Sequence, residues 1–288
     1  MQFWTLGVSA PRRAGEFGRR AEDAGWHGML VVDSQNLSGD AYVALTAAAL
    51  ATSNLGLGPG VTNSVTRHAA VTASAIASIQ KLSAGRAVLG IGRGDSALAH
   101  VGRAPARLGA FEAYLKNVQT YLRGGDVPFV DCGIDDAVAP DVEELELADT
   151  PSTSTISWLR QDPKVPVEVA ATGPKVIGIA ARHAERVMFT VGADVERLRW
   201  GIGTAEAAAR DANRDLSELA FGAYVNIVCH PNLETAQKLA RGGATLFARF
   251  SVMHGGISGP VDEMQAEVLD SIHERYNMKE HGLSLIHI

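Results

Sequence analysis

Seven short runs in this chain are apolar throughout, not at every second residue, and helix-length segments separate most of them. The runs lie at residues 3–8, 29–33, 55–60, 87–92, 165–172, 187–191 and 221–229. A strand with one face in water alternates apolar and polar side chains, whereas a strand covered on both faces need not. The segments between them, at 14–24, 42–51, 69–82, 108–122, 176–183, 195–213 and 233–247, carry helical spacing. This repetition predicts an α/β fold with parallel strands. Seven units favour a (β/α)8 TIM-type barrel over an open doubly wound sheet. A barrel of this kind accounts for residues 1–288 as a single domain.

Two stretches break the repeat. Between about 124 and 164 lies an insertion whose acidic part, 131–149, has no Lys or Arg. It reads either as a lobe over the site or as a solvated loop. After residue 255 a helical stretch at 261–278 leads into Lys279-Glu-His-Gly-Leu-Ser-Leu-Ile-His-Ile288, and no eighth strand–helix unit is evident. The expectation is a barrel lacking its last unit, with a shortened C-terminus.

A net charge of -6 and the absence of any basic run argue against nucleic acid or an anionic membrane surface as partner. No apolar run approaches the roughly 20 residues of a membrane span. Cys132 and Cys229 lie far apart without CxxC spacing, which fits two inert thiols in a reducing, cytoplasmic setting. The histidines His68, His183, His230 and His254 lack metal-ligand spacing, so no metal is expected. His68 reads as a capping or packing residue at the start of a helix, and His254 as a candidate for a pocket rim.

Ligands of strand–helix proteins bind at the C-terminal ends of the strands. Four such ends stand out. Leu55-Gly-Leu-Gly-Pro-Gly-Val-Thr-Asn63 stops in glycines and then presents Val61, Thr62 and Asn63, a candidate seat for a flat ligand. Val31-Val-Asp-Ser-Gln35 offers Asp33 and Ser34, either as ligand contacts or as an ordinary loop cap. Leu89-Gly-Ile-Gly-Arg-Gly-Asp-Ser96 lacks the helix-opening third glycine of a dinucleotide fingerprint. Its Gly92 and Gly94 permit close backbone approach, and Arg93 and Asp95 add charge. Val169-Ala-Ala-Thr-Gly-Pro-Lys175 puts Pro174 at a helix start beside Thr172, Gly173 and Lys175, which is either a phosphate site or a plain β-to-α turn. Trp4 begins the first strand, whose end at Ser9 and Ala10 is expected to face the same mouth.

Val31-Val-Asp-Ser34 with Asp40-Ala-Tyr-Val43, Gly60-Val-Thr-Asn63 with Thr66-Arg-His68, Leu89-Gly-Ile-Gly-Arg-Gly-Asp95 and Ala171-Thr-Gly-Pro-Lys175 follow one another in a characteristic order. In that order and spacing the chain, from residue 3 to about 255, resembles the luciferase-like oxidoreductases, flavin- or deazaflavin-dependent (β/α)8 proteins. It is most similar to their methylenetetrahydromethanopterin reductase-like branch. The resemblance implies a non-prolyl cis bond at Gly60–Val61 behind a cofactor ring, with Thr62 and Asn63 near the ring edge. It implies a phosphate turn at Gly173, Pro174 and Lys175, and an acid near the reacting carbon at Asp95, one methylene shorter than the family's usual Glu. The family's strand-two Asp-His pair falls on Asp33 and Ser34, so the histidine is absent.

The implied function is a coenzyme F420-dependent oxidoreductase that moves a hydride to or from a small organic substrate, with Asp33 and Asp95 as candidates for proton transfer or charge stabilisation. An FMN-dependent monooxygenase of the same fold, a non-catalytic flavin-binding protein and an incomplete fragment are the alternatives. A homodimer is a further implication of the resemblance alone.

Overall fold

A computed structural model describes residues 1–159, 163–253 and 256–281. Its strands are β1 (Trp4–Gly7), β2 (Gly28–Val31), β3 (Gly56–Pro59), β4 (Thr62–Asn63), β5 (Leu89–Gly92), β6 (Val167–Ala171), β7 (Arg186–Phe189) and β8 (Ala220–Ala223). Its helices are α1 (Pro11–Asp23), α2 (Ala41–Ala51), α3 (Ala69–Leu82), α4 (Ser96–Ala99), α5 (Leu108–Leu122), α6 (Pro174–His183), α7 (Val195–Asp211), α8 (Leu233–Arg249) and α9 (Glu263–Arg275).

All described strand pairs are parallel. β1, β2 and β3 pair in that order, and β4 to β8 form a second run. A bridge between Leu57 and Ala87 joins the two runs. β3 and β4 are therefore one strand position, interrupted at Gly60–Val61, whose peptide bond is cis. The strand order around the sheet is the chain order. Among the described residues no ladder joins β8 to β1.

Burial follows from the apolar runs. All four residues of β2 and of β5 are buried, and Leu45, Leu57, Ile76, Leu89, Phe111, Leu115 and Phe189 pack between strands and helices as one core. Helix starts are marked by local chemistry. Pro11 and Pro174 open α1 and α6, where no backbone N–H is needed. The Asp40 carboxylate accepts from the Tyr42 and Val43 amides, and Asp262 with Gln265 forms a capping box. His68 caps α3: Nδ1 accepts from the Ala70 amide at 3.2 Å, which leaves Nε2–H to donate to the Cys132 carbonyl at 2.8 Å.

The N-terminal ends of the strands are tied by charged groups. Glu22 accepts from the amides of Ser53, Asn54 and Leu55. Arg86 donates to the carbonyls of Ala49, Thr52 and Leu55, the first two belonging to the last turn of α2 and the residue after it. Burial acts to raise the Glu185 carboxyl, but Lys164, the Val167 amide and Gln119 hold it below the ordinary carboxylate range.

The structure sharpens three expectations. The seventh apolar run, at 221–229, forms a strand only as far as Ala223, in β8, and beyond it the Asn226 side chain donates to the Ala240 carbonyl of α8. The insertion, expected as either a lobe over the site or a solvated loop, places none of its described residues in the lining of the cavity at the strand ends. Its 3-10 turns at Phe129–Asp131 and Val142–Leu145 are largely exposed, and it is pinned against α3 and α5 through Cys132–His68, Asp131–Asn117 and Ser154–Tyr121. Val138 and Leu147 are 82% and 63% exposed, whereas Val127 and Ile156 at its two ends join the main core. Finally, β5 is followed by a four-residue helix, α4, that the glycine-rich pattern conceals.

Candidate functional site

A cavity of about 660 Å³ opens at the C-terminal ends of the strands. All four candidate strand ends meet there: Asp33 and Ser34 after β2, Gly60 to Asn63 across the β3–β4 break, Gly92 to Asp95 after β5, and Thr172 to Lys175 after β6. The fold thus brings together residues separated by up to 142 positions, from Asp33 to Lys175.

The first wall is built on Asp33, 2% exposed. One carboxylate oxygen accepts from Thr62 Oγ1 at 2.7 Å and Arg67 Nη1 at 2.6 Å, and the other from Gln35 Nε2 at 3.0 Å. Arg67 also donates to Asp40 at 2.6 Å, and its guanidinium lies 4.8 Å from the centre of the Tyr42 ring. Burial pushes the Tyr42 hydroxyl far above its usual value, and it pushes Tyr114 nearby up to about 12. These three hydrogen bonds fix the Asp33 carboxylate, and through it the Thr62 hydroxyl, at the cavity wall. Asn63 Oδ1 accepts from the amides of Val65 and Thr66, which turns the chain away behind the break.

The glycines after β5 serve the backbone. A Cβ on Gly92 would lie 3.2 Å from Val61 Cγ2, so the bare backbone makes room for the residue that follows the cis bond. Gly94 has φ +85°, in the left-handed region that favours glycine. Arg93 Nε donates to the Ala106 carbonyl at 2.6 Å. Ser34 Oγ lies 3.3 Å from Ser96 Oγ. Asp95 is ion-paired to Arg249 at the end of α8, and Arg249 is 5% exposed with its guanidinium 4.4 Å from the Tyr276 ring centre.

The turn after β6 carries the opposite charge. Gly173 precedes α6 without a side-chain cap, and Pro174, Lys175 and Val176 line the cavity. Ile177 donates the first helical hydrogen bond, back to Gly173, so the N–H groups of Lys175 and Val176 lie ahead of the helix ladder. Among the described residues Lys175 makes no ion pair. The Thr172 and Thr190 hydroxyls are in hydrogen-bond contact across β6 and β7. This is an anion-favouring corner.

Several lining residues are not among those the sequence pointed to. Leu246, Phe247, Phe250 and Met253 form an apolar wall, and Tyr224 stands just past β8. The i, i+1 and i+4 spacing of Leu246, Phe247 and Phe250 was a legible signal for the wall, whereas nothing around Tyr224 marked it. At the first strand it is Leu6 and Val8 that line the cavity, while the Ser9 hydroxyl is spent on the Val32 carbonyl. His254 lies outside the described residues. No group of three His, Cys, Asp or Glu side chains among the described residues is placed to hold a metal ion. No described helix is long and apolar enough to cross a membrane.

Comparison with known proteins gives a consistent picture. A curated 5,10-methylenetetrahydromethanopterin reductase from Methanolobus tindarius is 27% identical over 217 residues, covering 72% of this chain and 59% of that protein. The chain therefore spans about three-fifths of that relative. The solved coenzyme F420-dependent tetrahydromethanopterin reductase of Methanopyrus kandleri superposes with a TM-score of 0.69 at 23% identity, over 86% of this chain and 72% of the other. An F420-dependent secondary alcohol dehydrogenase, solved with an F420–acetone adduct, gives 0.68 at 18% identity, over 97% and 83%. These two likenesses establish the fold, that of parallel-stranded α/β barrels. The family profile described as luciferase-like monooxygenase matches residues 3–285, and the chain belongs to the luciferase-like monooxygenase family.

Proposed function

We propose that this protein is an oxidoreductase whose cavity holds coenzyme F420 and moves a hydride to or from a small organic substrate. The observation that carries this reading is the pairing, within one cavity, of a flat backbone seat at Gly60–Val61 with the uncapped α6 start at Gly173–Lys175. The donor set fits such a ligand: a phosphate needs the unpaired N–H groups and Lys175, and a planar ring needs an apolar backing such as Val61, for which Gly92 leaves room. When bound, F420 supplies a carbon that gives or accepts a hydride as a two-electron unit. Val61 would back the ring, the Thr62 hydroxyl fixed through Asp33 and Arg67 would lie beside it, and Leu246, Phe247 and Phe250 would exclude water from the substrate side. The names of the two solved F420-dependent enzymes support the cofactor.

FMN is the second reading, favoured by a structural relative, the oxygenating constituent of 3,6-diketocamphane monooxygenase, solved in complex with FMN. Separate titrations with F420 and FMN, followed by fluorescence quenching, decide between them. Tight binding of F420 with weak binding of FMN is expected, and the reverse order moves the protein to oxygen-dependent chemistry. Lys175→Ala is expected to weaken F420 binding by about 1 kcal/mol, roughly fivefold, because the exposed ammonium is partly screened. An unchanged Kd would remove the α6 turn from the phosphate site.

A further inference from the structure

Glu168, the second residue of β6, is 3% exposed. Ala170, two residues on and therefore on the same strand face, lines the cavity, so Glu168 lies in the barrel interior one layer beneath the cavity floor. Tyr224 is one of the residues lining the cavity, and its hydroxyl donates to Glu168 Oε1 at 3.3 Å. On the other side Arg186 Nη1, from the first residue of β7, lies 3.7 Å from Glu168 Oε2. The nearest residue of β5 is Gly90, where a Cβ would sit 3.2 Å from Glu168 Oε1. Arg186 from β7 and Tyr224 from beyond β8 are thus the charged and titratable groups that face this carboxyl.

A carboxyl group in a barrel core is expensive, and an apolar side chain of similar size would pack there without a desolvation cost. Burial pushes the Glu168 carboxyl above its ordinary value, against the pull of Arg186. Burial and the neighbouring carboxyl push the Tyr224 hydroxyl well above its own, so Tyr224 stays neutral and keeps a proton to donate. Perturbed groups of this kind, linked by a hydrogen bond to a ligand cavity, are functional-site candidates.

We propose that Glu168 stores a proton beneath the cavity, and that the Tyr224 hydroxyl passes it to and from a molecule bound above. With Glu168 protonated, its O–H donates to Tyr224 Oη across the same 3.3 Å contact and frees the Tyr224 O–H for the cavity. When an acceptor there takes the Oη proton, the Glu168 proton moves onto Oη. The carboxylate left behind faces Arg186, and no electrons move. The reverse sequence removes a proton from the cavity. The proposal rests on the hydride-transfer reading only for its purpose, since a transferred hydride leaves one proton to be supplied or withdrawn.

The pair can be tested on the ligand-free protein by infrared spectroscopy, using Glu168→Gln and Tyr224→Phe, both close in size to the native side chains. A protonated-carboxyl band that persists well above the ordinary glutamate range, is lost in E168Q and shifts in Y224F is the expected result. Absence of a band that E168Q removes overturns the store, and a band unmoved in Y224F overturns the route. A raised carboxyl value stabilises the fold fully below the ordinary glutamate value and loses that contribution as pH rises through the folded value. Stability of the wild type should therefore decline over that window and that of E168Q should stay flatter; equal slopes also overturn the store. Added F420 should shift the band. Binding seen by quenching without a shift overturns the route, whereas failure of F420 to bind counts against the cofactor reading and leaves the ligand-free results to decide.

Discussion

Arg67→Ala is expected to cost about 3–5 kcal/mol of stability, because it leaves the Asp33 carboxylate buried without its cation. The side chains are 1% exposed for Asp33 and 14% for Arg67, so water cannot substitute for the lost partner. Denaturant unfolding with an unchanged m-value measures the loss directly. The double variant D33N/R67M, which removes both charges, should recover much of it; equal instability of single and double variants would show that the pair is not the cause. Arg67→Lys should fall between, since one ammonium cannot span Asp33 and Asp40 as the guanidinium does at 2.6 Å to each. Acidification supplies a second readout. Burial acts to raise Asp40, but the Val43 amide and Arg67 hold it below the ordinary carboxylate value. That contribution is present above the ordinary value and fades as pH falls through the folded one. The wild type should therefore lose more stability in acid than R67A does.

Gly90→Ala should be nearly as damaging, while the same change at Gly203 should help. A Cβ on Gly90 would lie 2.1 Å from the Pro59 carbonyl oxygen, a backbone atom at the edge of the β3–β4 break that cannot swing aside. Overpacking of this severity is expected to cost about 3 kcal/mol or more. Gly203 sits inside α7, and a methyl group added there would meet nothing within 4 Å. Alanine at that position should add about 0.5–1 kcal/mol through helix propensity and reduced chain entropy. Thermal unfolding of the two variants side by side checks both signs; a neutral G90A would mean that β3 and β5 can part without loss.

The strand–helix order was readable because burial on both faces leaves a local mark, the unbroken apolar run. β2 reads Gly-Met-Leu-Val and β5 Leu-Gly-Ile-Gly, and all eight residues are buried. The four strand ends at the cavity were readable for a related reason: glycine, proline and small polar residues cluster where the chain turns. What stayed hidden depends on contacts across the fold. Nothing near Asp95 indicates that Arg249, 154 residues away, neutralises it. Asp33 read as a ligand contact or a loop cap, and its partners Thr62 and Arg67, 29 and 34 residues on, could not be told from its own surroundings. Nothing in the sequence singled out Glu168, and only its burial on the inward face of β6 does so.

The charged ties at the N-terminal ends of the strands have a consequence for how such a protein diversifies. Glu22, Arg86 and Glu185 clasp helix and strand termini there, and none of them lines the cavity. Substitutions along Leu246, Phe247, Phe250 or Met253 can therefore reshape what the mouth accepts while those clasps remain intact. Architecture and ligand preference are inherited on separate faces, which leaves the rim free to drift toward new substrates over generations.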